Sequence, residues 1–142
     1  MRKVFAGLAV VLTLLVVAQF FFAATGGFSA APNEVSFAPH HALGYVIFVL
    51  PLVMCAVGAL ARIPGRLIGL SALVAALTAV QVVLAEIAKS LGDNGNGITA
   101  GPLLFGLHGL NGLAILAFAG TIVRRALPLA SAPATETSEN RG

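Results

Sequence analysis

The sequence predicts an all-α protein, an integral membrane four-helix bundle with both termini cytoplasmic. Apolar residues fill 58% of its 142 positions and charged ones only 9%, at a mean hydropathy of +1.00, a balance far outside that of a water-soluble domain. Four apolar stretches, at about residues 4–25, 39–61, 67–88 and 102–123, each reach the ~20 residues that a helix needs to cross a bilayer. Arg2 and Lys3, Arg62 and Arg66, and Arg124 and Arg125 all fall on one side of a four-span topology, while the opposite loops carry only Lys89 against Glu34 and Asp93. That asymmetry places the basic side in the cytoplasm.

The first span follows two basic residues and precedes small ones at Ser29 to Ala31, as in a signal peptide. Its apolar run of about 20 residues exceeds a signal core of about 7 to 15, so it is expected to stay as a helix. The cluster Phe20, Phe21 and Phe22 anchors its outer end. The second span opens at Pro39 and is tied to the third by Arg62-Ile-Pro-Gly-Arg66, a link so short that these two helices must be antiparallel neighbours. The outer loops, 26–38 and 90–101, are rich in Gly, Asn, Ser and Pro, the natural place for a lid over an outward-facing site. The fourth span opens at Pro102. One transmembrane domain thus occupies residues 1–127, and residues 128–142 form a polar tail expected to be disordered.

The pI of 9.8 is a consequence of this topology. Arginines at helix ends, rather than in a patch, argue against nucleic acid as a partner and for phosphate or lipid headgroups. The single cysteine, Cys55, lies mid-span, forms no intrachain disulfide and behaves as a small apolar residue. No hydrolase triad, phosphate loop or nucleotide fingerprint occurs.

The most informative pattern is His-x-x-x-Gly, present at His40 to Gly44 and again at His108 to Gly112, each near the outer start of a span. Four residues are about one helical turn, so each glycine shares the face of its histidine and leaves it bare, where a flat macrocycle can approach. This is the arrangement of an axial ligand pair for haem b, with His40 and His108 on the iron. His41 points about 100° away from His40, towards Tyr45, Phe48 and Leu52, and is the alternate ligand; His40 shares its stripe with Gly44, Pro51 and Gly58. Counted from Pro39 and Pro102, the two histidines differ in depth by about 7 to 8 Å at 1.5 Å per residue, which helix stagger must absorb.

A weak internal repeat supports the pairing: helix, outer loop, proline, helix with His-x-x-x-Gly, then arginine. Two such hairpins related by an axis along the membrane normal set the second and fourth spans diagonally across the bundle, with their histidines facing each other. Asn111, one turn beyond His108, can bond either a haem edge or another helix, the second being favoured. Thr78, Gln81 and Ala85 share a face of the third span expected to bond between helices. Gln19 is a further polar residue within a span. Glu86 and Lys89 read as a surface ion pair, with a propionate contact as the less favoured role.

The stretch Phe37-Ala-Pro-His-His-Ala-Leu-Gly-Tyr45, with Phe105-Gly-Leu-His-Gly-Leu-Asn-Gly112, resembles a family of small uncharacterised four-helix bacterial membrane proteins, over most of the chain before the tail. That resemblance implies a bacterial plasma (inner) membrane location. More distantly, the layout is similar to one four-helix half of haem A synthase, in which histidines on the second and fourth helices hold haem near the outer face. On that resemblance His40 and His108 match the ligand positions, and Glu34 loosely matches a glutamate before the first of them. With half the helices and one histidine pair, topology and ligand placement carry over rather than catalysis. The sequence thus predicts a haem-b-binding, electron-transfer or haem-handling component rather than an enzyme on its own, embedded in lipid and open to a redox or membrane-protein partner. A cofactor-free accessory subunit is the alternative, and a transition-metal site of His40, His41 and His108 a third.

Overall fold

The computed structural model describes residues 1–91 and 100–132. Its order is α1 (Arg2–Gly27), α2 (Asn33–Ser36), α3 (Ala38–Leu60), α4 (Gly65–Ser90) and α5 (Ala100–Ser131). Apart from the one-turn α2, all are long and apolar enough to span a membrane, and the chain is a multi-pass transmembrane helical bundle. α1 and α4 each pack on both α3 and α5, so α3 and α5 occupy one diagonal and α1 and α4 the other. This is the placement expected from the repeat.

Membrane helices gain little from hiding apolar surface from one another, so close packing must hold them, and small residues allow it. Ala6 and Ala9 of α1, Gly58 of α3 and Ala119 and Ala126 of α5 are all buried. An added Cβ at Gly58 would lie 3.0 Å from Ile68 and 3.2 Å from Phe5, which seats α3 against α4 and α1 near the turn that joins α3 to α4. Phe5, Leu12, Met54, Val74 and Ile122 fill the space between. The predicted stripe is visible: Pro51 and Gly58 are buried and Gly44 is half-buried. Leu14, Tyr45, Val82 and Leu113 are exposed, on the surface that meets lipid. Pro51 removes one rung of the α3 ladder, that to the Ile47 carbonyl.

The turn 61–64 is tighter than its sequence suggests. α3 ends with Arg62 N–H donating to the Ala59 carbonyl and Ile63 N–H to the Gly58 carbonyl, a Schellman closure whose residue after the cap takes positive φ. That residue is Arg62, at φ 52°, where glycine would carry no steric cost. Arg62→Gly is expected to raise the thermal midpoint in detergent, a gain of at most about 1 kcal/mol; a fall would show that the arginine side chain matters more than the backbone strain.

Three boundaries differ from the sequence reading. The loop 26–38 contains α2, held by Val35 and Ser36 N–H groups donating to the Pro32 carbonyl. The last helix starts at Ala100 and continues past Arg124 and Arg125 to Ser131, with Pro128 inside it. Arginine, alanine and leucine favour helix beyond the bilayer edge as well as within it, so the first residues of the predicted tail are helical. Residues 133–142, the remainder of that tail, and 92–99 of the predicted outer lid lie outside the described residues.

Candidate functional site

The antiparallel bundle brings His40 of α3 and His108 of α5 together across its centre, ring centroids 6.2 Å apart and planes inclined by 41°. The predicted depth mismatch is taken up by stagger. His40 is the third residue of α3 and His108 the ninth of α5, so α5 reaches roughly 9 Å further out.

Each ring is held from the long helix that precedes its own. His40 Nδ1 lies 3.4 Å from the Gln19 carbonyl oxygen on α1, and His108 Nδ1 lies 3.1 Å from the Gln81 carbonyl oxygen on α4. A carbonyl can only accept, so each of these contacts is a hydrogen bond only when Nδ1 carries a proton, which in a neutral imidazole leaves the lone pair on Nε2. Metal-bound histidines are oriented in this way, the outer bond fixing the tautomer and raising ligand basicity. With Nδ1 of each ring against a main-chain carbonyl and the rings 6.2 Å apart, the two imidazoles are the residues that would hold a metal-bearing group here.

The glycines act differently from the expected open slot. An added Cβ on Gly44 would meet Gln19 Nε2 at 3.5 Å; on Gly112 it would meet Gln81 Nε2 at 3.3 Å and Phe20 Cζ at 3.4 Å. Amides of the neighbouring helices lie over these faces. The reason is visible at Gly44, where Gln19 Nε2 donates to the His40 carbonyl at 2.9 Å. A bare Cα one turn beyond a carbonyl exposes that oxygen to a side chain from outside the helix. Gln19 and His40 thus clasp each other, side chain to main chain in both directions. The Oε1 atoms of Gln19 and Gln81 are buried without a hydrogen-bond partner among the described residues, acceptors left over between the helices.

Aromatic rings flank both histidines. Phe37 stands edge-on to His40 at 6.1 Å and Phe105 edge-on to His108 at 6.4 Å. Phe37 is seated by Gly26 at the end of α1, where an added Cβ would lie 2.8 Å from its Cδ1. The sequence repeat is therefore fuller than His-x-x-x-Gly: it reads Phe-x-x-His-x-x-x-Gly in both halves, with a glutamine on the preceding helix. Gln19 precedes His40 by 21 residues and Gln81 precedes His108 by 27. Loops of different length separate them, which is why Gln19 and Gln81 escape an alignment of the two halves at fixed spacing.

His41 is exposed and stacks on Phe37 at 6.5 Å, with planes 24° apart. Among the described residues no three His, Cys, Asp or Glu side chains form a metal-binding group, so His40, His41 and His108 do not assemble the three-histidine site. Asn111 Nδ2 donates to the Leu77 carbonyl at 2.9 Å, the helix-to-helix role favoured for it. Thr78 differs from expectation: its hydroxyl donates to the Val74 carbonyl of its own helix at 2.8 Å, the acceptor one turn back being in easiest reach of a short side chain. Glu86 and Lys89 pair at 2.8 Å on the surface. Glu34 sits in α2, at the same end of the bundle as the histidines.

No curated protein and no solved structure matches the chain. The model of a family of unknown function, DUF6220, matches residues 19–89, half of the 142 residues, a stretch that contains Gln19, His40, Gly44 and Gln81. The chain belongs to that family.

Proposed function

We propose that the protein is a membrane haem-b-binding component, serving electron transfer or haem handling, in which His40 and His108 would hold the haem near the outer face. The observation that carries this reading is the imidazole pair: two rings from diagonal helices, 6.2 Å apart, each with Nδ1 against a main-chain carbonyl. A bis-histidine haem supplies one-electron redox chemistry at a potential set by ligand identity and burial. In this role the Gln19 and Gln81 carbonyls keep both rings in the Nδ1–H tautomer, and Phe37 and Phe105 narrow access from outside. The six arginines and lysines at the helix ends away from the histidines support cytoplasmic termini and a bacterial inner membrane setting. A redox or membrane-protein partner would then meet the site from the outer side.

A cofactor-free accessory subunit is the second reading. It is favoured by the amides and Phe20 that cover Gly44 and Gly112, and by a ring separation that also suits plain aromatic packing. The absorption spectrum decides between them. Full-length protein purified in detergent after expression with ample haem supply is expected to show low-spin haem b bands that sharpen on reduction. Folded protein that stays colourless and takes up no added hemin would leave the accessory reading.

A further inference from the structure

The end of the bundle opposite the histidines carries a second feature. An open groove runs between α4 and α5, its walls formed by Gly69, Leu70, Leu73 and Phe118 and its mouth flanked by Arg66 and Arg125. Leu73 lies seven residues inward of Arg66 on α4, and Phe118 seven residues inward of Arg125 on α5, so both walls descend two turns, about 10 Å. Thr121 lines the groove, and its hydroxyl accepts from the Arg124 guanidinium at 3.2 Å, which holds a third cation at the lip. Among the described residues the acidic side chains, Glu34 on α2 and Glu86 paired with Lys89 on α4, both stand at the other end. Arg66 and Arg125 therefore face no carboxylate among the described residues.

Cations above an apolar slot that opens sideways complement an amphiphile with an anionic head. We propose that this groove seats one anionic phospholipid of the leaflet at the arginine end. Its phosphate lies between Arg66 and Arg125, whose guanidiniums present paired donors to phosphate oxygens, and an acyl chain follows Gly69, Leu73 and Phe118. Basic pockets between transmembrane helices are suited to such headgroups. The site is independent of the histidine pair.

Gly69 permits a clean test, because an added Cβ there meets nothing within 4 Å. Gly69→Leu fills the groove while sparing both arginines and the bundle packing. Full-length protein is titrated with phosphatidylglycerol or phosphatidylcholine in mixed micelles, with lipid retention read by native mass spectrometry and stability by thermal midpoint. Wild type is expected to retain one phosphatidylglycerol and to melt higher with it than with phosphatidylcholine. Arg66→Gln with Arg125→Gln weakens retention by roughly 30-fold, and Gly69→Leu weakens it comparably at unchanged charge. Wild-type retention by Gly69→Leu would overturn the proposal, since general attraction to the arginines would then suffice. The same stabilisation by inorganic phosphate would give the arginines to a free anion. A lipid effect that emerges only once residues 133–142, with Glu136 and Glu139, are removed would give the groove to the tail; either result also overturns it.

Discussion

His108→Ala is expected to abolish haem uptake, with no low-spin spectrum recovered on adding hemin to the purified variant. His108 is half-buried in the fourth span, with its Nδ1 against the Gln81 carbonyl and its ring 6.2 Å from that of His40. His40→Ala should lose the low-spin spectrum as well, either losing the haem or leaving it high-spin on one ligand. His41→Ala should leave the spectrum unchanged, because that ring is exposed and stacked on Phe37. Loss in His41→Ala with retention in His40→Ala would move the ligand to His41. Equal loss in both would point to damage at the start of α3, which circular dichroism and the thermal midpoint of the haem-free variants would register.

Leucine at Gly112 is expected to have the next largest effect. Its Cβ would already lie 3.3 Å from Gln81 Nε2 and 3.4 Å from Phe20, so the rest of the side chain must expel the amide or the ring from the bundle centre. Overpacking of this kind costs about 1–3 kcal/mol. The haem-free Gly112→Leu protein should melt at lower temperature and bind little hemin, the amide having lost the surface it packs on. Gly44→Leu should give a milder loss of stability, since its nearest neighbour stands at 3.5 Å, an ordinary contact, but it should also break the Gln19 to His40 bond. Hemin uptake at wild-type levels in both variants would show that neither glycine borders the site. Equal destabilisation of both haem-free proteins would mark the two halves as packed alike.

Much of this architecture is written in the composition, because lipid permits few alternatives: four apolar runs joined by a five-residue link and two longer loops leave little choice but an up-and-down bundle. The diagonal placement of His40 and His108 follows from that topology and the direction of the two hairpins. Local rules were less informative where they compete. Arg124 and Arg125 mark a membrane exit by charge yet are good helix formers, so the helix outlasts the span and runs to Ser131. Asn33 to Ser36 is too short for periodicity to reveal, and its turn depends on Pro32 and on Phe37 packing against Gly26. The glycines of His-x-x-x-Gly signalled a bare helix face correctly, but not what lies on it. That depended on Gln19 and Gln81, two residues whose own sequence context marks them only as polar positions in a span.

The imidazole pair has one member from each hairpin, and the later of the two is carried by α5, the last of the described helices. A molecule bridging His40 and His108 therefore has no bidentate site on a nascent or half-inserted protein, and neither hairpin alone offers one. Such a ligand selects the completed bundle over every partly assembled form and stabilises it by mass action according to its free concentration. Supply of the ligand would then govern how much protein survives membrane quality control, making abundance itself a readout of occupancy.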